Sequence, residues 1–354
     1  MRLEPRRESS RLMLWATPVI AVALTIIVGM GLFELIGKDS VKAIWYIFVE
    51  PLTNPYLRPE LLIKGTPLVL IAIGLSLGFR AGVWNIGAEG QFIMGAIAGG
   101  SVALAFYDVE GMWLLPLMGL AGAAGGAAWA MIPAFLRIKA NANEILVSLM
   151  LVYVASLFLS AMVSGPLRDP DGFNFPESRL FHDSALMPIL IPGSNANIGV
   201  IIALGIVVAA YVLLQKHIFG FQVKLFGQAP RAARFAGFSD ARVIAVCLGI
   251  SGGLAGLSGM FEVAGPVGQL VPGFPIGYGF TAIIVAFLGR LHPVGIVFAG
   301  AIMALTYVGG QEAQLHVGLP GAAVNVFQGM LLFFLLGVDV LVNYRVRFGA
   351  RKVA

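Results

Sequence analysis

The sequence predicts an all-α polytopic membrane protein, a bundle of about ten transmembrane helices. Apolar residues make up 58% of its 354 residues and charged residues only 12%, about half the ~25% usual in soluble domains. The mean hydropathy is +0.90. A soluble protein of this composition could not cover its apolar surface with polar groups, and a disordered chain would be far less hydrophobic. The lipid bilayer is the solvent that fits.

Ten apolar runs approach the ~20 residues that a helix needs to cross the hydrocarbon core. Some of them are short or interrupted by glycine, which is common in transmembrane helices because it lets backbones approach closely. The pairs Gly95/Gly99, Gly249/Gly253 and Gly252/Gly256 predict such close helix contacts. The predicted spans lie near residues 14–36, 62–79, 84–106, 113–136, 143–164, 198–215, 241–261, 278–289, 293–309 and 321–342.

The basic residues indicate the orientation of these spans. With ten spans, seventeen of the 23 Lys and Arg residues fall on the side that holds both termini, and six fall on the other side. Cytoplasmic segments carry the excess of Lys and Arg, so both termini are predicted to lie inside. The basic N-terminus, which includes Arg6 and Arg7, precedes a run too long for a signal peptide and is interpreted as an uncleaved anchor.

Three connections between the spans are unusual in length or composition. The inside loop covers about residues 216–240 and the outside loop about 165–197. An outside loop of this length is usually functional, although it could be a solvated connector. The segment 265–279 contains Pro266, Pro272 and Pro275, so it is either an outside loop or a re-entrant segment buried in protein.

Several classes of function are excluded or disfavoured by the sequence. It has no GxxxxGK[ST] phosphate loop, so this chain does not bind ATP in the P-loop manner. Its four histidines and one cysteine, Cys247, show no metal-ligand spacing, and no paired catalytic groups suggest an enzyme. Few acidic residues fall in mid-span, which disfavours an ion-coupled secondary carrier. The net charge of +5 is explained by basic inside segments, without nucleic acid as a partner.

A polar cluster stands at the start of the span near 84–106. It contains Asn85, Glu89 and Gln91, and leaving such groups unpaired against lipid would cost several kcal/mol. We therefore expect them to face the bundle interior, where Asn85 and Glu89 would share a helix face. They are predicted to line or gate a translocation pathway. The alternative is a structural cluster in which Glu89 pairs with Arg80.

A second polar group precedes the span near 143–164. Asn141 or Asn143 suits the N-cap of a helix, and Glu144 suits its positive N-terminus. Capping is the favoured interpretation, with a part in the pathway or its gate as the alternative for Asn143 and Glu144.

The inside loop contains a predicted short helix. Pro230 suits its first turn and Gly237 its end, Asp240 is expected to cap the next span, and Arg231 and Arg234 project together. Such a helix could dock into a groove of a partner protein or lie on lipid headgroups. Its compact apolar surface comes from Ala232, Ala233, Phe235 and Ala236.

These residues resemble a known family, the permease subunits of ABC importers in the branched-chain amino acid, simple sugar and nucleoside superfamily. The stretch Gly227–Gly237 resembles their coupling loop, and Asn85–Gln91 resembles the signature of the nucleoside-type branch. The resemblance runs from about residue 60 to 340. Further stretches similar to this branch are Asn143–Ile145, Gly165–Pro166, Gly172–Pro176, Gly277–Phe280 and Leu288–Pro293.

The resemblance implies a type II-like importer permease, a single transmembrane permease domain over residues 1–354 in the bacterial cytoplasmic (inner) membrane. Such a subunit pairs with a second permease, docks a separate cytoplasmic ATPase that holds ATP and Mg, and receives substrate from an extracytoplasmic binding protein. No cofactor, metal or catalytic residue is expected in this chain. The implied substrate is a nucleoside, with a simple sugar such as ribose as the alternative.

The residues expected to line or gate the pathway follow from the polar clusters described above and not from the resemblance. They are Asn85, Glu89, Gln91, Asn143 and Glu144. The resemblance implies contact with the ATPase for Gly227, Pro230, Arg231, Ala232, Ala233, Arg234 and Gly237.

Overall fold

A computed structural model describes the backbone of residues 2–5 and 11–347 and the side chains of residues 16–341. A short antiparallel pair, β1 (Arg2–Pro5) and β2 (Tyr344–Arg347), brackets the helices. The helices are α1 (Arg11–Leu35), α2 (Ser40–Phe48), α3 (Glu50–Thr53), α4 (Arg58–Arg80), α5 (Ala88–Ala105), α6 (Leu114–Ala140), α7 (Glu144–Ser164), α8 (Gly199–Lys216), α9 (Ile218–Gln228), α10 (Pro230–Phe235), α11 (Asp240–Glu262), α12 (Tyr278–Leu288), α13 (Pro293–Val317) and α14 (Gly321–Asn343).

The prediction of a polytopic helical protein is confirmed, because each predicted span contains a helix in the described part of the chain. By length and composition, eight helices there can cross a membrane: α1, α4, α6, α7, α8, α11, α13 and α14. The other two predicted spans are not among these eight. Helix α12 has 11 residues, about 16 Å of rise, against a hydrocarbon core of ~30 Å. Helix α5 has 18 residues, and Glu89 and Gln91 occupy its first turn.

The chain divides into two compact units, each described here by itself; a single domain over the whole chain stays a prediction. The first unit contains the residues up to 55 and those from 305 onward. The rings of Phe33 and Phe327 stack in its core at 5.8 Å, and Ile47 of α2 is fully buried there.

Strands β1 and β2 also belong to the first unit. Arg2 lies opposite Arg347 in their register. This pairing brings the start of α1 and the end of α14 to the same side, as the predicted placement of both termini requires. Arg6, Arg7, Arg351 and Lys352, which also support that orientation, lie outside the described residues.

The second unit, residues 56–304, is built on close contacts among α5, α6 and α11. A Cβ added at Gly95 would lie 2.1 Å from Cα of Gly256, and one at Gly126 would lie 2.2 Å from the carbonyl oxygen of Gly252. Side chains at these positions would force the helices apart, so the predicted small-residue contacts are confirmed for Gly95, Gly252 and Gly256. Gly249 and Gly253 make only ordinary contacts at 3.6–3.7 Å.

The segment after α11 is irregular and packs against the long loop between α7 and α8. A π-helical turn, Val263–Val267, continues α11, and no regular helix follows until α12. Ser178 donates its N–H to the carbonyl of Leu270 and accepts the N–H of Leu270 on its hydroxyl. Leu270 is fully buried. Protein partners therefore satisfy backbone groups of this segment, which is how non-helical backbone is tolerated in a membrane protein.

Candidate functional site

Glu89 connects the first turns of α5 and α12. Its two carboxylate oxygens accept the backbone N–H groups of Gly277, at 2.9 Å, and Gly279, at 2.5 Å. The first N–H groups of a helix have no partner within the helix, and its positive N-terminus favours a carboxylate. Glu89 is only 4% exposed, so its oxygens take their hydrogen-bond partners from within the protein.

A glycine permits this contact between the two helices. A Cβ added at Gly279 would lie 2.2 Å from the backbone nitrogen of Glu89. The first turns of α5 and α12 therefore meet backbone to backbone, and only glycine fits at that position. Gly277, the N-cap of α12, has φ of +88°, a left-handed conformation that glycine adopts without steric cost.

A second polar network lies beside the start of α5. The side-chain amides of Asn85 and Gln91 exchange two hydrogen bonds, at 2.8 and 2.9 Å. Asn85 also donates to the hydroxyl of Ser251 at 2.9 Å. All three side chains are almost completely buried. Ser251 is the middle residue of α11, which has 23 residues, so the network lies near the midpoint of a span-length helix.

The structure thus brings together Asn85, Gln91 and Glu89, but not in the way that the sequence suggested. Helix α5 begins at Ala88, so Asn85 precedes it and does not share a helix face with Glu89. Nor does Glu89 pair with Arg80, whose Nε donates to the carbonyl of Leu291 at 3.0 Å. The shared helix face is wrong because the segment before Ala88 is not helical. The pairing with Arg80 is wrong because Glu89 accepts backbone N–H groups of α12 instead.

Asn143 and Glu144 make their hydrogen bonds outside this network. Asn143 is the N-cap of α7, with its Oδ1 accepting the N–H of Ile145 at 2.9 Å, so the capping interpretation is confirmed for this residue. Glu144 forms an ion pair with Arg137 and accepts the N–H of Trp84 at 3.4 Å. Glu144 therefore fixes the junction between α6 and α7 against the residues that lead into Asn85.

The inside loop folds as α9 and α10. Pro230 is the first residue of α10, and Gly237 follows that helix with φ of +83°, so both predicted helix signals are confirmed. The N-cap of α11 is Ser239, whose hydroxyl accepts the N–H of Arg242. The prediction of Asp240 as that cap is wrong by one residue. Asp240 instead pairs with Arg234 at 2.7 Å.

Of the seven residues assigned to ATPase contact, one does not lie at the surface. Ala233 is fully buried in this chain's own apolar cluster with Leu77 and Val223. Gly227 is exposed, but a Cβ there would lie 1.9 Å from the carbonyl oxygen of Arg80, so it packs α9 against the end of α4. The others, Pro230, Arg231, Ala232, Arg234 and Gly237, are exposed. We call these five residues and Phe235, which is 97% exposed, the α10 surface.

Sequence reasoning missed a buried ion pair in the same unit. Lys64 Nζ lies 3.5 Å from Glu262 Oε1, and the hydroxyl of Tyr278 donates to the same oxygen at 3.5 Å. Lys64 was counted in an outside loop but lies within α4. The available signal was the position of Lys64 inside the apolar run near 62–79, where an ionisable residue needs a partner.

His292 lies in the turn between α12 and α13, outside the span-length helices. Among the described histidines, it is the one with a shifted pKa. Burial, and then the charge of Arg80, lowers the pKa of His292 below its ordinary value. Its ring lies 5.8 Å from that of Tyr211. A neutral imidazole therefore packs at the end of α4 where Arg80 contacts Leu291.

The chain combines span-length helices with a buried polar network whose groups have their partners within the protein. This combination is typical of one class of protein, the polytopic membrane transport subunit. Residues 58–336 match the family model described as "Branched-chain amino acid transport system / permease component". The chain belongs to this family.

Curated relatives cover nearly all of the chain. It is 38% identical to the glucose ABC transporter permease protein TsgB13 of Haloferax volcanii, over 98% of this chain and 93% of the relative. It is 30% identical to the guanosine ABC transporter permease protein NupP of Bacillus subtilis, over 95% of both chains. It is 27% identical to the nucleoside ABC transporter permease protein NupB of Lactococcus lactis, over 90% and 89%. The chain is therefore an ABC transporter permease, a multi-pass protein of the inner membrane.

Proposed function

We propose that this chain, together with a second permease subunit, forms the translocation pathway of an ATP-driven importer for nucleosides. The observation that supports a neutral solute is that the buried acidic side chains already have partners within this chain. Glu89 is held by backbone N–H groups and Glu262 by Lys64, so neither acts as a counter-ion for a charged solute. The guanosine and nucleoside permeases among the relatives support a nucleoside.

A sugar is the second candidate substrate. It is favoured by the glucose permease relative, which shares 38% identity with this chain, more than the two nucleoside relatives do. Nucleosides and sugars are both neutral and rich in hydroxyl groups, so the internal partners of Glu89 and Glu262 are consistent with either one.

We further propose that the α10 surface docks a separate cytoplasmic ATPase, which binds ATP and Mg. An exposed phenyl ring beside two arginines is a compact anchor for a partner's groove. Buried Ala233 and the close approach of Gly227 to Arg80 hold this surface against α4 and α11, so a movement of the partner would reach the span-length helices. An extracytoplasmic binding protein would deliver the substrate.

Uptake by cells with and without this chain tests the substrate. We expect deletion to abolish uptake of labelled guanosine, with unlabelled nucleosides competing and ribose failing to compete. If glucose uptake is lost and guanosine uptake is not, the sugar candidate replaces the nucleoside. An uncoupler applied while ATP is maintained should leave uptake intact; if it stops uptake, the chain belongs to an ion-coupled carrier.

The double variant Arg231→Ala/Arg234→Ala tests the docking. Removing Arg234 breaks its pair with Asp240, but an exposed pair of this kind contributes only about 0–1 kcal/mol to stability. We therefore expect a folded protein that neither retains the ATPase in co-purification nor supports uptake. Lys139→Ala/Lys216→Ala, which removes two exposed cations from the ends of α6 and α8, is the matched control. Normal ATPase binding and uptake by the arginine variant would refute the docking surface.

A further inference from the structure

A small cavity in the second unit is lined by polar groups that the network around Asn85 does not use. It lies among α4, the end of α11 and the residues before α8, and Ser258, Glu262 and Asn197 face it. Its volume of about 10 Å³ is about the space needed to hold one water molecule or one hydroxyl group.

Ser258 carries the inference because its hydroxyl is buried without a partner. The side chain is 0% exposed, and its Oγ has no hydrogen bond among the described residues. Helix serines usually bond to a carbonyl one turn back, as Ser156 does to Val152 and Ser160 to Ser156. A buried polar group without a partner costs free energy and calls for an explanation, and a ligand that enters the cavity supplies one.

The other groups around the cavity indicate the chemistry of that ligand. Pro67 has no N–H to donate to the carbonyl of Ile63, four residues earlier in α4, and both residues line the cavity. Lys64 and Tyr278 both contact Oε1 of Glu262. The Lys64 ammonium disfavours a cation at this place, and the carboxylate disfavours an anion. A neutral group that both donates and accepts hydrogen bonds fits the serine hydroxyl, the carbonyl and the carboxylate.

A local distortion of α11 adjoins these groups. The π-helical turn Val263–Val267 begins directly after Glu262, and single π turns within helices are frequent at functional sites. Asn197 approaches this turn closely, because a Cβ at Gly265 would lie 2.6 Å from its Nδ2. Asn197, Ser258 and Glu262 therefore all line the cavity beside this turn.

We propose that this cavity is a hydroxyl subsite, which binds one hydroxyl group of the solute during its passage, with Ser258 as the specificity-determining residue. The proposal rests on the proposed function, since nucleosides and sugars present such hydroxyls. Ser258 would accept from and donate to the solute, and the Ile63 carbonyl would accept.

Transport by the complete complex in proteoliposomes tests the subsite, with guanosine, 2′,3′-dideoxyguanosine and 5′-deoxyguanosine as the probes at concentrations below saturation. We expect Ser258→Ala to lower guanosine uptake about fivefold, the effect of one neutral hydrogen bond, and to leave unchanged the uptake of the analogue that lacks the bound hydroxyl. The wild-type and variant complexes receive solute from the same binding protein. The ratio of variant to wild-type uptake for each probe is therefore independent of the selectivity of that binding protein. Ser160→Ala, whose hydroxyl bonds within its own helix, should change none of these ratios.

The remaining outcomes separate the subsite from the proposed function. If Ser258→Ala lowers the uptake of all three probes equally or of none, the subsite is refuted, and a cavity with structural water only remains. If the wild type imports glucose instead, monodeoxyglucoses replace the deoxyguanosine analogues, and at least one should be insensitive to the variant. A wild type that imports neither guanosine nor glucose overturns the proposed function itself. Ser258→Ala should not lower the thermal midpoint, and a fall would show that the hydroxyl has a structural partner.

Discussion

Glu89 places a carboxylate against the first turn of α12, 188 residues further along the chain. The sequence could show that this residue must be buried, because an acid beside a long apolar run avoids lipid. It could not show the partner, because that partner is backbone N–H rather than a side chain of opposite charge. The same limit hid the pairing of Asn85 with Gln91, which depends on where α5 begins.

Replacing Glu89 tests whether its carboxylate holds α12. Glu89→Ala leaves the N–H groups of Gly277 and Gly279 buried without an acceptor, and we expect a loss of about 2–3 kcal/mol in stability. Glu89→Gln retains one acceptor oxygen and should lose roughly half as much. Thermal unfolding of the purified protein in detergent measures both. Glu110→Ala, at a carboxylate that is 81% exposed, is the control, and equal midpoints for the two alanine variants would contradict this assignment.

Replacing the amide of Asn85 should destabilise the protein more than removing the hydroxyl of Ser251, which it contacts. Asn85→Asp removes two donated hydrogen bonds and adds a buried charge, so we expect little folded protein. Ser251→Ala removes one partner and should cost only about 1 kcal/mol. Asn143→Asp is the control, since Asp caps a helix as well as Asn does. Folded yield by size-exclusion chromatography ranks the three, and a normal yield for Asn85→Asp would show that the network is solvated.

At the scale of elements, the sequence located the helices, and the short run near 278–289 matches α12 to within one residue. The run near 84–106 was predicted too long at its start, because α5 begins only at Ala88. The residues before Ala88 are instead held by long-range contacts, such as that of Asn85 with Ser251, which no local pattern reveals. The glycine contacts of α5, α6 and α11 were predictable in kind, but not which glycines would meet.

Because α5 packs closely against α11, a methyl group added at this contact should lower the stability of the protein more than one added elsewhere. Gly95→Ala places a Cβ 2.1 Å from Cα of Gly256, so the helices must separate and their packing is lost. We expect a fall in folded yield and in thermal midpoint equivalent to about 1–3 kcal/mol. Gly205→Ala in α8 is the matched control, because nothing lies within 4 Å of the added Cβ and alanine favours helix. Equal behaviour of the two variants would mean that α5 and α11 are not tightly packed.

At the scale of the whole molecule, the distribution of basic residues and the pairing of β1 with β2 indicate the same arrangement. Both require an even number of crossings, with the two termini on one side. The sequence alone sufficed for this inference, because the charge bias depends on where the loops lie and not on how the helices pack. It could not assign the membrane depth of α5 and α12, which depends on contacts such as that of Glu89.

Cysteine labelling tests this orientation across a single helix. Only α8, among the span-length helices, lies between Phe173 and Phe235, which are 93% and 97% exposed, so these two positions must face opposite sides if α8 crosses the membrane. We expect a membrane-impermeant maleimide to label Phe173→Cys in intact cells, and Phe235→Cys only after permeabilisation, in a strain without the ATPase subunit. The native Cys247 is fully buried and serves as the unlabelled background. If Phe235→Cys alone is labelled in intact cells, the orientation is the reverse of the predicted one. If both positions are labelled from one side, α8 does not cross the membrane.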